Sequence, residues 1–270
     1  AIRRINEVMD VEPEIRDHNT QPIAHSARGE IEFRSLTFAY GDNAPVLNDV
    51  NLRIRAGTTV GIMGRVGSGK TTLARLIPRL IQSGSNQLFI DGVPIEKWPL
   101  SQLRSAIGYV SQNPFLFSNT ISDNISYGVH SASDAEIHQA AEWAQLRKDV
   151  IEFDSGFETL IGERGVTLSG GQKQRSTLAR ALLRQPQILI LDDSLSAVDT
   201  HTEEAVLGHL SSLMKGRTTL IIAHRISTLR HCDHVIVLDE GRIAEQGTHE
   251  ELLKHGGFYA DLHARQQLAA

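Results

Sequence analysis

A glycine-rich stretch at residues 64–71 (GRVGSGKT) contains a lysine and a threonine at the spacing of a phosphate-binding loop, or P-loop. Glycines let the backbone wrap closely around an anion, and the amides of such a loop point inward. Lys70 offers a point charge to terminal phosphates, and the Thr71 hydroxyl is placed to ligate Mg²⁺. The motif predicts a nucleoside triphosphate site formed by Gly64, Arg65, Val66, Gly67, Ser68, Gly69, Lys70, Thr71 and Thr72.

The segments on both sides of this loop are those that the motif requires. Residues 58–63 (TTVGIM) form a short apolar run that is typical of a buried strand, and residues 72–77 (TLARLI) have apolar side chains at helical spacing. A helix that starts at the loop directs its first amides toward a bound phosphate. Because a plain glycine turn needs no Lys-Thr pair before an amphipathic helix, the sequence favours phosphate binding.

A second apolar run, residues 188–191 (ILIL), is followed by two acidic residues, Asp192 and Asp193. Such a run fits a parallel strand that is buried on both faces. A carboxylate at the end of that strand is expected to hold Mg²⁺ through water in a P-loop protein. Asp192 could instead cap a helix after the strand, but the P-loop upstream favours the metal-site interpretation.

Strand-like and helix-like segments alternate along most of the chain, which predicts an α/β fold with a mostly parallel sheet. Residues 31–38 and 46–54 instead show apolar alternation, with a frame shift in the first segment, and predict a small antiparallel sheet. Three polar patterns, each with a glutamate three residues after a serine or threonine, predict capping boxes at Ser133, Thr200 and Thr248.

The composition excludes several classes of protein. A net charge of −5 gives no bulk attraction to nucleic acid, and the single cysteine, Cys232, excludes an internal disulfide and suits a reducing cytosol. No apolar run approaches the roughly 18 residues of a membrane span, so no direct membrane insertion is predicted. Residues 231–234 (HCDH) lack a second ligand pair at zinc spacing, which favours a structural role.

Further motifs follow the P-loop in this order: Gln112, residues 168–172 (LSGGQ), Asp192 with Asp193, residues 196–199 (SAVD) and His224. The order resembles that of the ATP-binding cassette (ABC) ATPases over residues 29–257. It implies a P-loop ATPase core with a mostly parallel sheet, an N-terminal antiparallel β subdomain and an inserted helical subdomain at about residues 113–183. Residues 1–28 would be a connector from a missing transmembrane domain, and residues 29–270 the nucleotide-binding domain.

The resemblance also implies roles for individual side chains. Tyr40 resembles the aromatic residue that stacks on adenine, although it also fits an ordinary aromatic at a strand edge. Gln112 is similar to the residue that touches Mg²⁺ and couples the nucleotide to a transmembrane partner. His224 resembles the switch histidine that contacts the γ-phosphate and orients the attacking water. The implied catalytic residues are Lys70, Gln112, Asp193 and His224, and the implied metal ligands are Thr71, Gln112 and Asp192.

The LSGGQ stretch resembles the signature that closes over the γ-phosphate of an ATP held by another subunit. Ser169 can cap a helix whose free amides, bare at Gly170 and Gly171, form a second anion site that Gln172 completes. A chain with one P-loop and one spare phosphate-binding helix end is suited to a two-fold sandwich of two cassettes around two ATP molecules. Residues 196–199 resemble the loop that crosses this interface.

Asp193 departs from the family pattern, because members that hydrolyse ATP well have glutamate at this position. Shortening the side chain by one methylene retracts the carboxylate by about 1.5 Å, and such a misplacement can cost on the order of 10²-fold in rate. The pattern resembles the degenerate half of a bacterial heterodimeric multidrug exporter, with slow turnover at its own site. Asp193 could also be an adequate base in a homodimer.

Residues 163–165 (ERG) resemble a motif of exporter-type cassettes, and residues 115–117 (FLF) fit a groove for a coupling helix of the membrane domain or ordinary core packing. The resemblance therefore implies ATP hydrolysis that powers export at the cytoplasmic face of a bacterial inner membrane. Two alternatives stay open: a mainly regulatory, ATP-gated dimerisation module, and a soluble ABC ATPase acting on DNA or ribosomes. The acidic balance and residues 163–165 disfavour the second of these.

Overall fold

The structure is a computed structural model that describes residues 2, 6, 9–17, 20, 22–23, 26–129, 131–162 and 165–268. The strands are β1 (Ile31–Phe38), β2 (Leu47–Ile54), β3 (Thr59–Gly64), β4 (Leu88–Ile90), β5 (Val93–Pro94), β6 (Ile107–Val110), β7 (Ile188–Asp192), β8 (Thr218–Ile222), β9 (His234–Asp239) and β10 (Arg242–Gly247). The α-helices are α1 (Lys70–Leu76), α2 (Leu100–Ser105), α3 (Ile121–Ser126), α4 (Asp134–Trp143), α5 (Arg147–Val150), α6 (Gly170–Leu183), α7 (Thr200–Leu213), α8 (Ile226–Leu229), α9 (His249–His255) and α10 (Phe258–Leu268).

The larger sheet has the strand order β10-β9-β3-β8-β7-β6. Strands β9, β3, β8, β7 and β6 pair in parallel, and β10 joins the edge in the antiparallel direction. The predicted α/β class with a mostly parallel sheet is therefore confirmed. The P-loop strand β3 lies between β9 and β8, so the P-loop emerges at the carboxyl edge of the sheet, where open α/β folds bind ligands.

The smaller sheet is antiparallel and has the order β2-β1-β4-β5. The frame shift predicted in the first strand is present, because the pairing of β1 with β2 changes register between Phe33 and Leu36. Ser35 lies in this bulge with a φ of 43°. The predicted antiparallel subdomain is confirmed, and β4 and β5, which follow the P-loop helix, extend it.

Apolar residues on the two faces of the larger sheet form two separate cores. Ile221 in β8 packs with the helices that precede and follow β7, whereas its neighbours Leu220 and Ile222 pack with α1 and the antiparallel sheet. Both faces of the parallel strands are thus covered. This arrangement explains why these strands have continuous apolar runs rather than alternation.

The predicted helix caps are mostly found. Ser133 and Thr248 each form a capping box with the glutamate three residues later. The prediction of a cap at Thr200 is wrong, because Asp199 is the N-cap and its Oδ1 accepts a hydrogen bond from the Thr202 amide at 2.9 Å. Glu203 does not reach back to the cap, since it is buried and bonds Arg225 and Thr228 instead.

Some sequence predictions fall outside the part of the chain that is described. Several residues of the connector predicted at residues 1–28 are among these, and so are Glu163 and Arg164 of the exporter-like motif. Among the described residues, none of the helices combines the length and the apolar character needed to cross a bilayer.

Candidate functional site

The backbone of the P-loop depends on two glycines in unusual conformations. Gly64 has a φ of 149°, and a Cβ on it would lie 2.0 Å from the Leu238 carbonyl oxygen. Gly69 has a φ of 99°, and a Cβ there would lie 2.6 Å from a methyl of Leu47. Any other residue type at Gly64 would displace the backbone of β9, and one at Gly69 would be strained by the left-handed φ and would crowd Leu47. These glycines therefore allow the loop to turn from β3 into α1 against the chain around it.

Lys70 is folded into the loop that it follows. Its Nζ donates to the carbonyl oxygens of Gly64, at 2.9 Å, and Arg65, at 2.7 Å. Burial lowers the pKa of the Lys70 ammonium, and the nearby carboxylates of Asp193 and Asp192 oppose this shift. The side chain thus places one positive charge inside the ring of P-loop amides, which is suited to a phosphate anion.

Two hydroxyl groups converge on the Asp192 carboxylate at the end of β7. Thr71 Oγ1 donates to Asp192 Oδ1 at 3.0 Å, and the Tyr109 hydroxyl donates to Oδ2 at 2.9 Å. Asp192 is buried, and burial together with its charge raises the pKa of Tyr109. Thr71 and Asp192 present hard oxygen ligands at one point, as Mg²⁺ prefers. Tyr109 fixes the second carboxylate oxygen, so it orients Asp192 from behind.

Asp193 lies in the same cleft, one residue beyond Asp192. Gln112 Nε2 donates to Asp193 Oδ2 at 3.1 Å, and the Asp193 amide donates to the Ile222 carbonyl. The backbone of Asp193 is left-handed, with a φ of 48°. Burial raises the pKa of the Asp193 carboxyl, while His224 and the Gln112 hydrogen bond partly offset that rise. A raised pKa moves a carboxylate toward the range of a general base near neutral pH.

Replacing Asp193 with asparagine is expected to raise the melting temperature at neutral pH. The folded-state pKa lies above the unfolded value, so the folded protein binds the proton more tightly. The free energy of unfolding then falls as the pH rises between the two values, and the penalty is complete above the folded-state pKa. Asparagine removes the charge and also tolerates the left-handed backbone. Calorimetry from pH 4 to 7.5 checks this, and an unchanged melting temperature throughout would contradict it.

Most of the sequence-predicted residues around the P-loop share one cleft of about 440 Å³, although Gly64, Arg65 and Ser68 do not line it. Its lining includes Val66, Gly67, Gly69, Lys70, Thr71, Thr72, Gln112, Asp192, Asp193 and His224. Tyr40 stands beside it, with its hydroxyl 3.2 Å from the Thr72 hydroxyl, and the residue is 39% exposed. An exposed aromatic face next to a phosphate loop can stack on a base. The structure therefore brings together residues that are 184 positions apart, from Tyr40 to His224.

The signature residues lie elsewhere. Among the described residues that line the P-loop cleft, none comes from residues 168–172. Ser169 caps α6 and forms a capping box with Gln172, whose side chain also donates to Asp149 Oδ1 at 3.0 Å. Asp149 in turn pairs with Arg175 at 2.6 Å. This network orients the first turn of α6, and Ser169 and Gly170 stay exposed.

The start of α6 packs on residues 196–199, the predicted interface loop. A Cβ on Gly171 would lie 3.0 Å from the Ala197 carbonyl oxygen, so the close approach favours glycine. Gln174, which is buried, donates to the Ser196 hydroxyl at 3.2 Å and accepts from the Ala197 amide at 2.9 Å. The signature helix and this loop therefore form one connected surface.

Sequence reasoning missed Tyr109 and Gln174. Tyr109 stands on β6, and its contact with Asp192 follows from the parallel pairing of β6 with β7, in which Tyr109 lies opposite Ile190. Gln174 lies two positions beyond the LSGGQ pattern, and only its burial distinguishes it from a surface glutamine. Neither position carries a motif of its own.

The residues at 231–234 are not arranged as a metal site. Within the part of the chain that is described, no group of three or more His, Cys, Asp or Glu side chains could hold a metal ion. Cys232 is buried, which raises the pKa of its thiol to about 12. Asp233 instead accepts a hydrogen bond from the Thr59 amide at 2.7 Å. This carboxylate fastens the start of β3 to β9.

The sheet order, the P-loop and the paired hydroxyl–carboxylate contact define a P-loop ATPase fold. The ABC transporter family matches residues 47–196, and the chain belongs to this family. It is 45% identical over 269 residues to the probable multidrug resistance ABC transporter ATP-binding/permease protein YheI of Bacillus subtilis strain 168, which is 99% of this chain and 46% of YheI.

Two further similarities agree with this family. The ATP-dependent lipid A-core flippase of Escherichia coli K12 is 43% identical over 268 residues, or 98% of this chain and 46% of the flippase. A bacterial Atm1-family ABC exporter with ATP bound superposes with a TM-score of 0.92 at 38% identity, covering 98% of this chain and 46% of that one. The chain thus spans about half the length of the relatives it matches.

Proposed function

We propose that this chain is the nucleotide-binding domain of an exporter-type ABC transporter, in which it binds Mg²⁺·ATP and hydrolyses it to power export. The observation that carries the proposal is the convergence of Lys70, the Thr71–Asp192 pair and Asp193 on one cleft at the carboxyl edge of the sheet. By name, the three relatives above are an ATP-binding/permease protein, a lipid A-core flippase and an ABC exporter, and this chain covers 46% of each.

The residues of the cleft have complementary roles toward the nucleotide. The P-loop amides and Lys70 bind the phosphates, and Tyr40 stacks on the adenine. Thr71, Asp192 and Gln112 offer oxygen ligands that fit Mg²⁺, directly or through water. When bound, Mg²⁺ supplies charge neutralisation at the terminal phosphates.

Hydrolysis would proceed by in-line attack of water on the γ-phosphorus. Asp193 accepts the water proton as the new O–P bond forms and the bond to the bridging oxygen of ADP breaks. Gln112 holds Asp193 through the 3.1 Å hydrogen bond, and His224 faces the same cleft to orient the water. Because Asp193 is one methylene shorter than glutamate, this site is expected to turn over slowly.

The exposed N-terminal end of α6 is suited to contact with a second cassette. Ser169 and Gly170 are exposed and lie away from the cleft of their own chain, so their helix end is available to the γ-phosphate of an ATP held by a partner. The partner of this proposal is another ABC nucleotide-binding domain, in a heterodimer whose other half has glutamate after its Walker B aspartate. Closure on ATP and reopening after hydrolysis would drive the membrane part.

A patch of exposed aromatic residues is suited to the transmembrane domain. Phe115 is 66% exposed and Tyr127 56%, and Phe117 lies between them at ring distances of 5.0 and 4.4 Å. Arg180 lies over the rings of Phe117 and Tyr127 and donates to the Phe115 carbonyl. A rigid, exposed aromatic patch is typical of a protein interface. Its partner would be a helical loop of the membrane domain at the cytoplasmic face of the bacterial inner membrane.

The test of this proposal is Mg²⁺-dependent phosphate release by the full-length protein in proteoliposomes. We expect ATP hydrolysis that stops when EDTA removes Mg²⁺, together with loss of coupling to transport when Phe115 is replaced by aspartate. A regulatory module without its own hydrolysis would bind ATP but release no phosphate in single-turnover experiments. That outcome would favour the ATP-gated dimerisation alternative.

A further inference from the structure

Gln266, near the end of the C-terminal helix α10, bridges the chain on both sides of His224. Its Nε2 donates to the His224 carbonyl oxygen at 2.7 Å, and its Oε1 accepts from the Ile226 amide at 2.9 Å. The two contacts span 42 and 40 positions of sequence. They hold the short segment between the end of β8 and the start of α8.

Only a carboxamide satisfies both contacts. A carbonyl oxygen needs a donor and an amide needs an acceptor, and the glutamine side chain provides one of each from a single planar group. A carboxylate would place an acceptor against the His224 carbonyl, and an apolar side chain of the same length would satisfy neither group. Because Gln266 is half-buried, water has only partial access to the two backbone groups that its side chain bonds.

The helix that carries Gln266 is itself fixed to the protein at its start. The Glu245 carboxylate on β10 accepts from the amides of Phe258 and Tyr259. The Tyr259 side chain is fully buried, and its hydroxyl lies 2.8 Å from His249 Nδ1. Gln266 stands two helical turns beyond, so its position is set by a rigid anchor rather than by its own contacts alone.

The same helix also contacts the P-loop. The guanidinium of Arg65 lies 5.6 Å from the centroid of the Phe258 ring, at the first residue of α10. One helix therefore contacts the loop that holds the phosphates with its first turn and the histidine segment with its last. Within the histidine segment, the Ala223 amide donates to the Ile62 carbonyl of β3. His224 is exposed, and the partly buried Arg225 bonds Glu203.

We propose that Gln266 is a positioning residue that sets the backbone of His224 and thereby the direction of its imidazole toward the nucleotide. The proposal rests on the proposed function of His224 at the γ-phosphate. Because Gln266 bonds the backbone carbonyl of His224, it fixes the position of the His224 Cα and does not bond the imidazole nitrogens. Those nitrogens stay available for the phosphate and the attacking water.

The test compares Gln266→Met with Gln267→Met, the same change at the exposed neighbouring position, in the full-length protein. Hydrogen exchange without nucleotide is the first measurement. Gln266→Met removes the hydrogen bond to the Ile226 amide, and a loss of about 1.4 kcal/mol corresponds to a tenfold change. We therefore expect roughly tenfold faster exchange in the peptide of residues 223–228. The P-loop peptide, residues 64–70, and the Gln267→Met protein should exchange at the wild-type rate.

Kinetics are the second measurement, made in an Asp193→Glu background so that this chain's site is fast. Gln266→Met is expected to lower kcat roughly tenfold and to leave the KM for ATP within about twofold of the wild-type value. The expected loss in kcat is smaller than the loss on the order of 10²-fold that a misplacement of about 1 Å can cause. Equal exchange or equal kcat in the two glutamine variants would overturn the proposal. If no variant releases phosphate, the proposed function fails, and exchange alone still decides whether Gln266 holds the segment.

Discussion

Replacing Lys70 with alanine is expected to weaken ATP binding by on the order of 10²-fold, because hydrogen bonds to charged groups contribute about 1.5–3 kcal/mol and each 1.4 kcal/mol is roughly tenfold. In the structure the Lys70 ammonium bonds the Gly64 and Arg65 carbonyls inside the loop. Burial has already lowered its pKa, so part of the cost of desolvating this cation is met before the nucleotide arrives. Calorimetric titration with Mg²⁺·ATP measures the change.

The matched control for this prediction is Lys97→Ala. Lys97 is exposed and lies on a single helical turn before α2, outside the lining of the P-loop cleft. It removes the same charge and the same side-chain length, and ATP affinity should not change. Thermal unfolding of both variants verifies that the fold is retained. Equal ATP affinity in the Lys70→Ala and wild-type proteins would contradict the proposed phosphate site.

Replacing Asp193 with glutamate is expected to raise turnover at this chain's own site by on the order of 10²-fold. The Asp193 carboxylate is held by Gln112 in the cleft, and burial raises its pKa, which is the direction that favours a general base. The aspartate side chain is, however, shorter than that of glutamate by about one C–C bond. Single-turnover phosphate release from Mg²⁺·ATP measures the effect of side-chain length on hydrolysis separately from any effect on ATP binding.

The control for this second prediction is Asp193→Asn, which keeps the length of aspartate but removes the base. We expect it to abolish hydrolysis and to preserve ATP binding, since Thr71 and Asp192 are unchanged. If wild-type turnover equals that of the glutamate variant, Asp193 is an adequate base. The degenerate-site interpretation would then be wrong, and a homodimer would be favoured.

Local patterns in the sequence predicted much of the fold and of the candidate site. The P-loop needs neighbouring glycines, a lysine and a threonine, and the apolar runs of β7 and β8 reflect burial on both faces. Even the register shift in β1 follows from the break in its apolar alternation. These features depend on residues that are close together in the chain, and the structure has the fold that they indicate.

Contacts between distant segments could not be predicted in this way. Tyr109 meets Asp192 only because β6 pairs with β7 in a particular register, and the polar partner of His224 comes from the last helix of the described chain. The misplaced cap at Thr200 has a similar origin. Its pattern was intact, but the buried Glu203 pairs with the partly exposed Arg225, and Asp199 serves as a better cap.

A structure of the full-length protein with trapped Mg²⁺·ATP would show whether the chain supplies half of each of two shared nucleotide pockets. We expect the Lys70 ammonium of this chain to touch the phosphates of one ATP. We also expect the Ser169 end of α6 to lie within hydrogen-bond distance of the γ-phosphate of the other. An ATP-bound complex in which Ser169 is far from any nucleotide would contradict the shared pockets.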